Sequence, residues 1–288
     1  MADYENPKKK NPLNSPAFRK YFRVSLVAII VILVFVLLIW LAGARQIGIP
    51  DEIDFIQLEE PEDDNPVVVF ETNLGSISAV LYPEEVPEYY EYFTGLVESG
   101  YYDGTYICAV VDSAYALGGT PDADPNGDNE GADESAFEAE ISDKLWTIKG
   151  SMASFVGTTG MWPFQKNCAG STFFFINDID DIYMDESALK RSYGDALGSV
   201  YAEYGGIPNF TQKYTVFAQV YDGWDVFEEI MSAETLDTYQ PASDIVIERA
   251  YITTYGEAPA EVYGIPVDTA DDEASEDDSS TSEETDTE

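Results

Sequence analysis

Apolar positions along this chain follow three different periods. Val24 to Ala44 (VSLVAIIVILVFVLLIWLAGA) is apolar and small throughout and carries no charge. A helix rising 1.5 Å per residue over that length crosses the ~30 Å hydrocarbon layer of a bilayer, so residues 24–44 are expected to be a membrane anchor. Pro66 to Gly75 (PVVVFETNLG) is β-branched and aromatic and ends in a turn, and Ser76 to Tyr82 alternates as the returning strand. Between Glu84 and Ser99 the period changes, with Val86, Tyr89, Tyr90, Phe93 and Leu96 at helical spacing. Tyr106 to Val111 reads as a buried strand, entered through an Asp103-Gly104 turn and followed by the break at Gly118-Gly119. Ser199 to Gly206 predicts a short helix stopped by glycine, and Ile245 to Tyr255 a closing strand.

These periods divide the chain into a basic amino-terminal tail (1–23), the anchor (24–44), a linker (45–65), a folded domain (66–256) and an acidic tail (257–288). The tail is Asp, Glu, Ser and Thr from about Val267, too polar to offset the entropy of ordering it, and is expected to be disordered. Ala42-Gly43-Ala44 also has the form of a small-residue cleavage site, so a removed signal peptide competes with a retained anchor. The apolar run exceeds the ~7–15 residues of a signal h-region, which favours the anchor.

Charge narrows the function classes. The chain holds 14 Lys and Arg against 55 Asp and Glu, for a net charge of −41. Lys8, Lys9, Lys10, Arg19, Lys20 and Arg23 gather before the apolar run, which predicts a cytoplasmic amino terminus and an extracellular domain. Nearly all the acid lies beyond it, and such a surface repels nucleic acid. The absence of histidine excludes Ser-His-Asp and Cys-His chemistry and histidine-held zinc, and two cysteines cannot make a four-cysteine metal site. No cofactor is implied.

The central stretch, Tyr101 to Pro121 (YYDGTYICAVVDSAYALGGTP), carries a resemblance. Turn, strand, small-residue segment and paired glycines are similar to the active-site edge of cyclophilin-type peptidyl-prolyl isomerases. There the corresponding run reads YDGT, then Phe-His-Arg-Val-Ile, then Gly-Phe-Met-x-Gln-Gly-Gly. Further matches follow in family order. Gly150-Ser-Met-Ala153 resembles "G-x-x-S-M-A", and Asn167 to Ile176 (NCAGSTFFFI) resembles "N-S-A-G-S-Q-F-F-I". Tyr201 to Pro208 fits the "Y-x-x-x-G-G-x-P" of extracellular Gram-positive members, and Ile179 to Gly206 forms the same insertion. Pro208 to Val220 resembles "P-x-L-D-G-x-Y-T-V-F-G-x-V", and Gly223 to Ile230 the helix "G-x-D-V-V-x-x-I". The resemblance implies a mainly β fold, a closed antiparallel barrel capped by helices. It also implies an isomerase acting on proline-containing peptides of exported proteins.

The same alignment places the family's chemistry on altered residues. Its arginine, understood to donate to the prolyl nitrogen, falls on Ala109, and its glutamine on Leu117. Its pocket phenylalanine and methionine fall on Ala114 and Tyr115. Groove candidates are Tyr115, Met152, Ala153, Thr172, Phe174, Asn209, Phe210 and Tyr214; a one-residue slip would exchange Phe174 for Phe173 and Phe175. The implied activity is therefore weak or lost, and the alternative is a non-catalytic peptide- or protein-binding module at the cell surface. Lys149, Lys166 or Lys213 would have to reach in to replace the missing donor.

Two side features have rival readings. Cys108 and Cys168 flank the groove segments, so in an oxidising space they form a disulfide or remain buried thiols. Asp122, Asp124, Asn126, Asp128 and Asp133 approach the spacing of a calcium loop, but Pro125 intrudes and no helix flanks them, so an acidic surface loop is the alternative.

Overall fold

The computed structural model describes residues 48–267 except 51, 112–113, 128–130, 134, 162–164 and 180–184, together with 29–30, 32–34 and 36–37. The anchor expected over 24–44 lies largely outside the described residues. Those described within it are helical and exposed, and no helix among the described residues is long and apolar enough to cross a membrane.

Two hairpins and their helix open the domain. β1 (Pro66–Thr72) and β2 (Gly75–Leu81) pair antiparallel through a tight turn at Asn73-Leu74. α1 (Pro87–Glu98) begins with proline, whose missing N–H would be unpaired there in any case. The Glu140 carboxylate accepts from the free N–H groups of Tyr89 (2.6 Å) and Glu88 (3.3 Å), a favourable charge at the positive end of the helix. The helix ends at Gly100, whose φ of 75° lets Tyr101 N–H reach Leu96 O at 3.0 Å. β3 (Thr105–Val111) and β4 (Tyr115–Thr120) follow, then short β5 (Phe137–Glu138), β6 (Ser151–Ser154), β7 (Gly157–Thr159), β8 (Lys166–Ala169) and β9 (Phe173–Ile176). Helices α2 (Glu186–Tyr193) and α3 (Asp195–Tyr204) precede β10 (Thr215–Asp222), α4 (Trp224–Met231) and β11 (Ile245–Thr254).

Among the described residues, eight strands close into one barrel in the order β1-β11-β3-β4-β9-β6-β10-β2, and β5-β8-β7 make a separate small sheet. Closure removes the unpaired edges that an open sheet must protect. Val68, Phe70, Ile77, Ile107, Met152, Phe173, Phe175 and Phe217 fill the interior, into which α1 sends Tyr89 and Phe93 and α4 sends Phe227 and Ile230. Val67, Val69 and Val80 point the other way and are covered by Tyr255 and Tyr263 from the chain beyond β11. That double burial explains the unbroken apolar run in β1.

The domain is longer than 66–256. Ile49, Ile53, Phe55 and Leu58 pack against Trp146, Ile148, Leu189, Leu197, Val200 and Tyr201, a second core outside the barrel. Gln57, 1% exposed, fastens this strap. Its Nε2 donates to Trp146 O and Gln219 Oε1, each at 3.0 Å, and its Oε1 accepts from Trp146 N–H. Buried amides persist only when so satisfied, and residues from Ile49 onward are thus part of the fold rather than a linker. At the other end Tyr263 OH donates to Gln57 O at 3.0 Å, so the acidic tail begins beyond it.

Candidate functional site

Strand register gathers the candidate residues. β3 carries one extra residue against β4: Ile107 pairs with Gly118 and Ala109 with Leu117, leaving Cys108 between them. Such a bulge re-aims the side chains that follow. Ile107 belongs to the interior, whereas Ala109 lies outside it beside Leu117. Leu117 pairs in turn with Phe174, Phe174 with Ala153, and Ala153 with Val216. Directly paired residues share a face, so Ala109, Leu117, Phe174, Ala153 and Val216 form one row across the outside of five strands.

Aromatic rings stand on that row. Tyr115 lies 5.5 Å from Phe174 and 5.7 Å from Phe210, between ring centroids. Tyr214 lies 4.8 Å from Phe210 and 6.0 Å from Phe174. Phe155, just past β6, adds a ring 4.7 Å from Tyr214. Burial raises the Tyr214 phenol, so it stays neutral. This wall is apolar with hydroxyls at its edge, a surface suited to a proline ring and its flanking backbone.

Phe210 and Tyr214 come from the loop between α3 and β10, a 3-10 turn over Pro208–Phe210 followed by Gln212 at φ 55°. Left-handed backbone is unfavourable for a residue with a Cβ, and the similar motif quoted above has glycine at this place. Asn167 Nδ2 donates to Lys213 O at 2.5 Å and ties the loop to β8.

Every described lysine has a partner: Lys144 with Glu85 at 3.1 Å, Lys149 with Glu228 at 2.7 Å, Lys166 with Glu138, Lys190 with Glu186, and Lys213 with Asn209 O. Arg249 stacks over Tyr251 at 4.7 Å. Ala109, 5% exposed, brings no hydrogen-bond donor to the row, and Leu117 brings none beside it.

The remaining candidates sort themselves by register. Met152 pairs with Phe175 and is wholly buried in the interior, so it is not a groove residue; strand alternation turns it away from Ala153. Phe173 and Phe175 are interior too, packing on Phe70 at 5.3 and 6.0 Å, which leaves Phe174 as the outward ring. Ala114 is buried before β4. Thr172 precedes β9, its carbonyl accepting from Ser154 Oγ at 2.8 Å. Asn209 Oδ1 lies 3.5 Å from the Tyr193 hydroxyl.

Cys108 and Cys168 are both free and buried, which corrects the bridged alternative. One sits in the β3 bulge of the barrel and the other pairs with Glu138 and Gly157 in the small sheet. Burial raises the Cys108 thiol, making it a packing residue rather than a nucleophile. Asp122 and Asp124 turn on their own loop, accepting from Asp124 N–H and Asn126 N–H, each at 2.9 Å. Asp133 accepts from Ser135 N–H at 2.7 Å and Tyr92 OH at 3.1 Å, and the Ser135 hydroxyl, then its N–H, then Tyr92 hold its carboxyl below the usual range. Asp128 lies outside the described residues; among them, no group of three or more acidic or thiol side chains is arranged to hold a metal.

Sequence reasoning passed over Phe155, which directly follows the Gly150–Ala153 motif and Ser154, and Gln57, a lone amide among apolar neighbours.

A match to a known family spans the barrel strands from β1 to β11. A profile described as cyclophilin type peptidyl-prolyl cis-trans isomerase matches residues 67–252. A Staphylococcus epidermidis protein assigned as a peptidyl-prolyl cis-trans isomerase is 30% identical over 198 residues, covering 68% of this chain and 96% of that one. A Streptococcus pyogenes protein assigned as a bifunctional phosphatase and isomerase is 30% identical over 211 residues, 72% of this chain but 43% of that one. A Cryptosporidium parvum cyclophilin-type isomerase, crystallised in the presence of the dipeptide Ala-Pro, overlays with a TM-score of 0.49 at 20% identity, over 65% of this chain and 99% of that one.

Proposed function

The chain belongs to the cyclophilin-type peptidyl-prolyl cis-trans isomerase family, and from that premise we propose that it receives proline-containing segments of exported proteins on the aromatic row and turns them over weakly. Rotation about a prolyl bond must overcome amide resonance, a barrier of ~18–20 kcal/mol. No nucleophile or metal is needed. A donor to the prolyl nitrogen favours the pyramidal nitrogen of the twisted state, and losing one such donor typically costs about 10²–10³ in rate. The observation that carries this reading is the Ala109–Leu117 pair, with the described lysines committed elsewhere.

The second reading, a binding module without turnover, is favoured by a different observation. The rings of Tyr115, Phe174, Phe210 and Tyr214 form a wall although the donors are missing. We also propose a cell-membrane location with the domain outside, supported by the apolar run 24–44 and the basic residues before it. A protease-coupled isomerisation assay run beside a peptide titration separates the readings. Binding with slow turnover that Phe174→Ala removes supports the first, and binding with none supports the second. Neither binding nor turnover would refute both.

A further inference from the structure

A buried hydroxyl relay links helix α3 to the aromatic wall. Thr147 and Tyr201 are both 0% exposed. Thr147 Oγ1 lies 2.8 Å from Ile207 O and 3.0 Å from Tyr201 Oη, and Tyr201 Oη lies 2.5 Å from Thr211 Oγ1. Proton counting fixes the first direction. A carbonyl only accepts, so Thr147 spends its single proton on Ile207 O. The Tyr201 and Thr211 hydroxyls share their two protons among the contacts Thr147–Tyr201, Tyr201–Thr211 and Thr147–Thr211, the last at 3.4 Å. Burial pushes the Tyr201 phenol up to about 12, so this proton stays in place at any physiological pH.

The loop that the relay grips has few other outside ties. Phe210 N–H, Thr211 N–H and Lys213 N–H bond only within it, to Ile207, Pro208 and Phe210. Ile207 is held at its N–H by Thr147 O (2.9 Å) and at its carbonyl by Thr147 Oγ1, and Lys213 by Asn167. Thr211 sits between Phe210 and the left-handed Gln212, and its hydroxyl is held by Tyr201.

We propose that Tyr201 is a positioning residue for the peptide site: its hydroxyl, on a helix outside the barrel, sets where Phe210 and Tyr214 stand. This rests on the reading of the aromatic row as a peptide site, and its test has one arm that does not. In the full chain, Tyr201→Phe removes only the hydroxyl, and Thr211→Ser keeps the donor. Val69→Ala, in the covered cluster with Tyr221 and Tyr255, is the control for lost stability alone.

Tyr201→Phe is expected to speed amide exchange at 210–213 at least tenfold while the β1 and β11 amides keep their rates. Binding of an Ala-Ala-Pro-Phe peptide should weaken three- to tenfold. Thr211→Ser should retain wild-type exchange and affinity, and Thr211→Val should add little to Tyr201→Phe, as expected of partners in one interaction. The proposal is overturned if exchange at 210–213 stays at the wild-type rate in Tyr201→Phe, or if Val69→Ala changes it equally. A wild-type chain that binds no proline peptide would sink the peptide reading instead, and the exchange arm would still decide whether Tyr201 holds the loop.

Discussion

The inner and outer faces of β3, β4, β9, β6 and β10 are built from alternate residues of the same strands, yet they answer to different demands. Inside, Ile107, Phe173, Phe175, Met152 and Phe217 interlock with Phe70 and Phe93. Outside, Ala109, Leu117, Phe174, Ala153 and Val216 form a row whose partners are the rings of Tyr115, Phe210 and Tyr214. The inner face requires only volume and shape, which many apolar residues satisfy. We propose that the outer face is that of an isomerase whose donor position is held by Ala109.

Neighbouring phenylalanines give the sharpest contrast. Phe173→Ala opens a hole in the interior and should cost roughly 3–5 kcal/mol, a fall in Tm of roughly 6–20 °C. Phe174→Ala should cost clearly less, because the surrounding rings can close over the gap, while abolishing proline-peptide binding. Thermal melts with a peptide titration read both, and equal stability losses would erase the distinction between the faces.

The strap makes the next contrast, between barrel and outer core. Gln57→Ala strands Trp146 N–H and Trp146 O in a dry site, which should cost about 2–3 kcal/mol by denaturant midpoint. A neutral effect would mean that 49–58 is a linker after all.

Alkali should expose the buried phenols. Desolvation raises Tyr89 and Tyr102, and moves Tyr201 and Tyr221 up to about 12, from an ordinary 10.0. A raised folded value means stability that is complete below pH 10 and lost as pH climbs toward 12. Tyr201→Phe should flatten that decline slightly, and a wild-type stability unchanged between pH 9.5 and 11.5 would contradict the burial of these hydroxyls.

Gln212→Gly should have the smallest effect. Relief of the left-handed strain, about 1–2 kcal/mol, is largely offset by the greater freedom of glycine in the unfolded chain. Calorimetry should find a change within about 1 kcal/mol, and a larger loss would show that the Gln212 side chain itself holds the loop.

Much of this was legible in the sequence, and where it was not the cause is identifiable. The apolar run of β1, the Asp103-Gly104 turn and the helical spacing of α1 state their structures directly, because burial and turn geometry leave local signatures. Motif order named Phe174 but left a one-residue slip to Phe173 and Phe175 open, and strand register is what separates the three. Met152 was misplaced because the motif aligns residues without stating which face each occupies. The Cys108 bulge, which decides that Ala109 points out, has no local signature. Gln57, Tyr201 and Thr147 pair across 54 to 162 residues, and pairings of that span have no periodicity to read.

The central claim is that the outer face keeps an isomerase's wall and lacks its donor. It is tested most directly by protease-coupled turnover of a proline peptide by the wild-type chain and by Ala109→Arg with Leu117→Gln. Wild-type turnover is expected to be no more than about a hundredth of the double variant's, with peptide affinity changed little. Wild-type turnover equal to or above that of the double variant would contradict it.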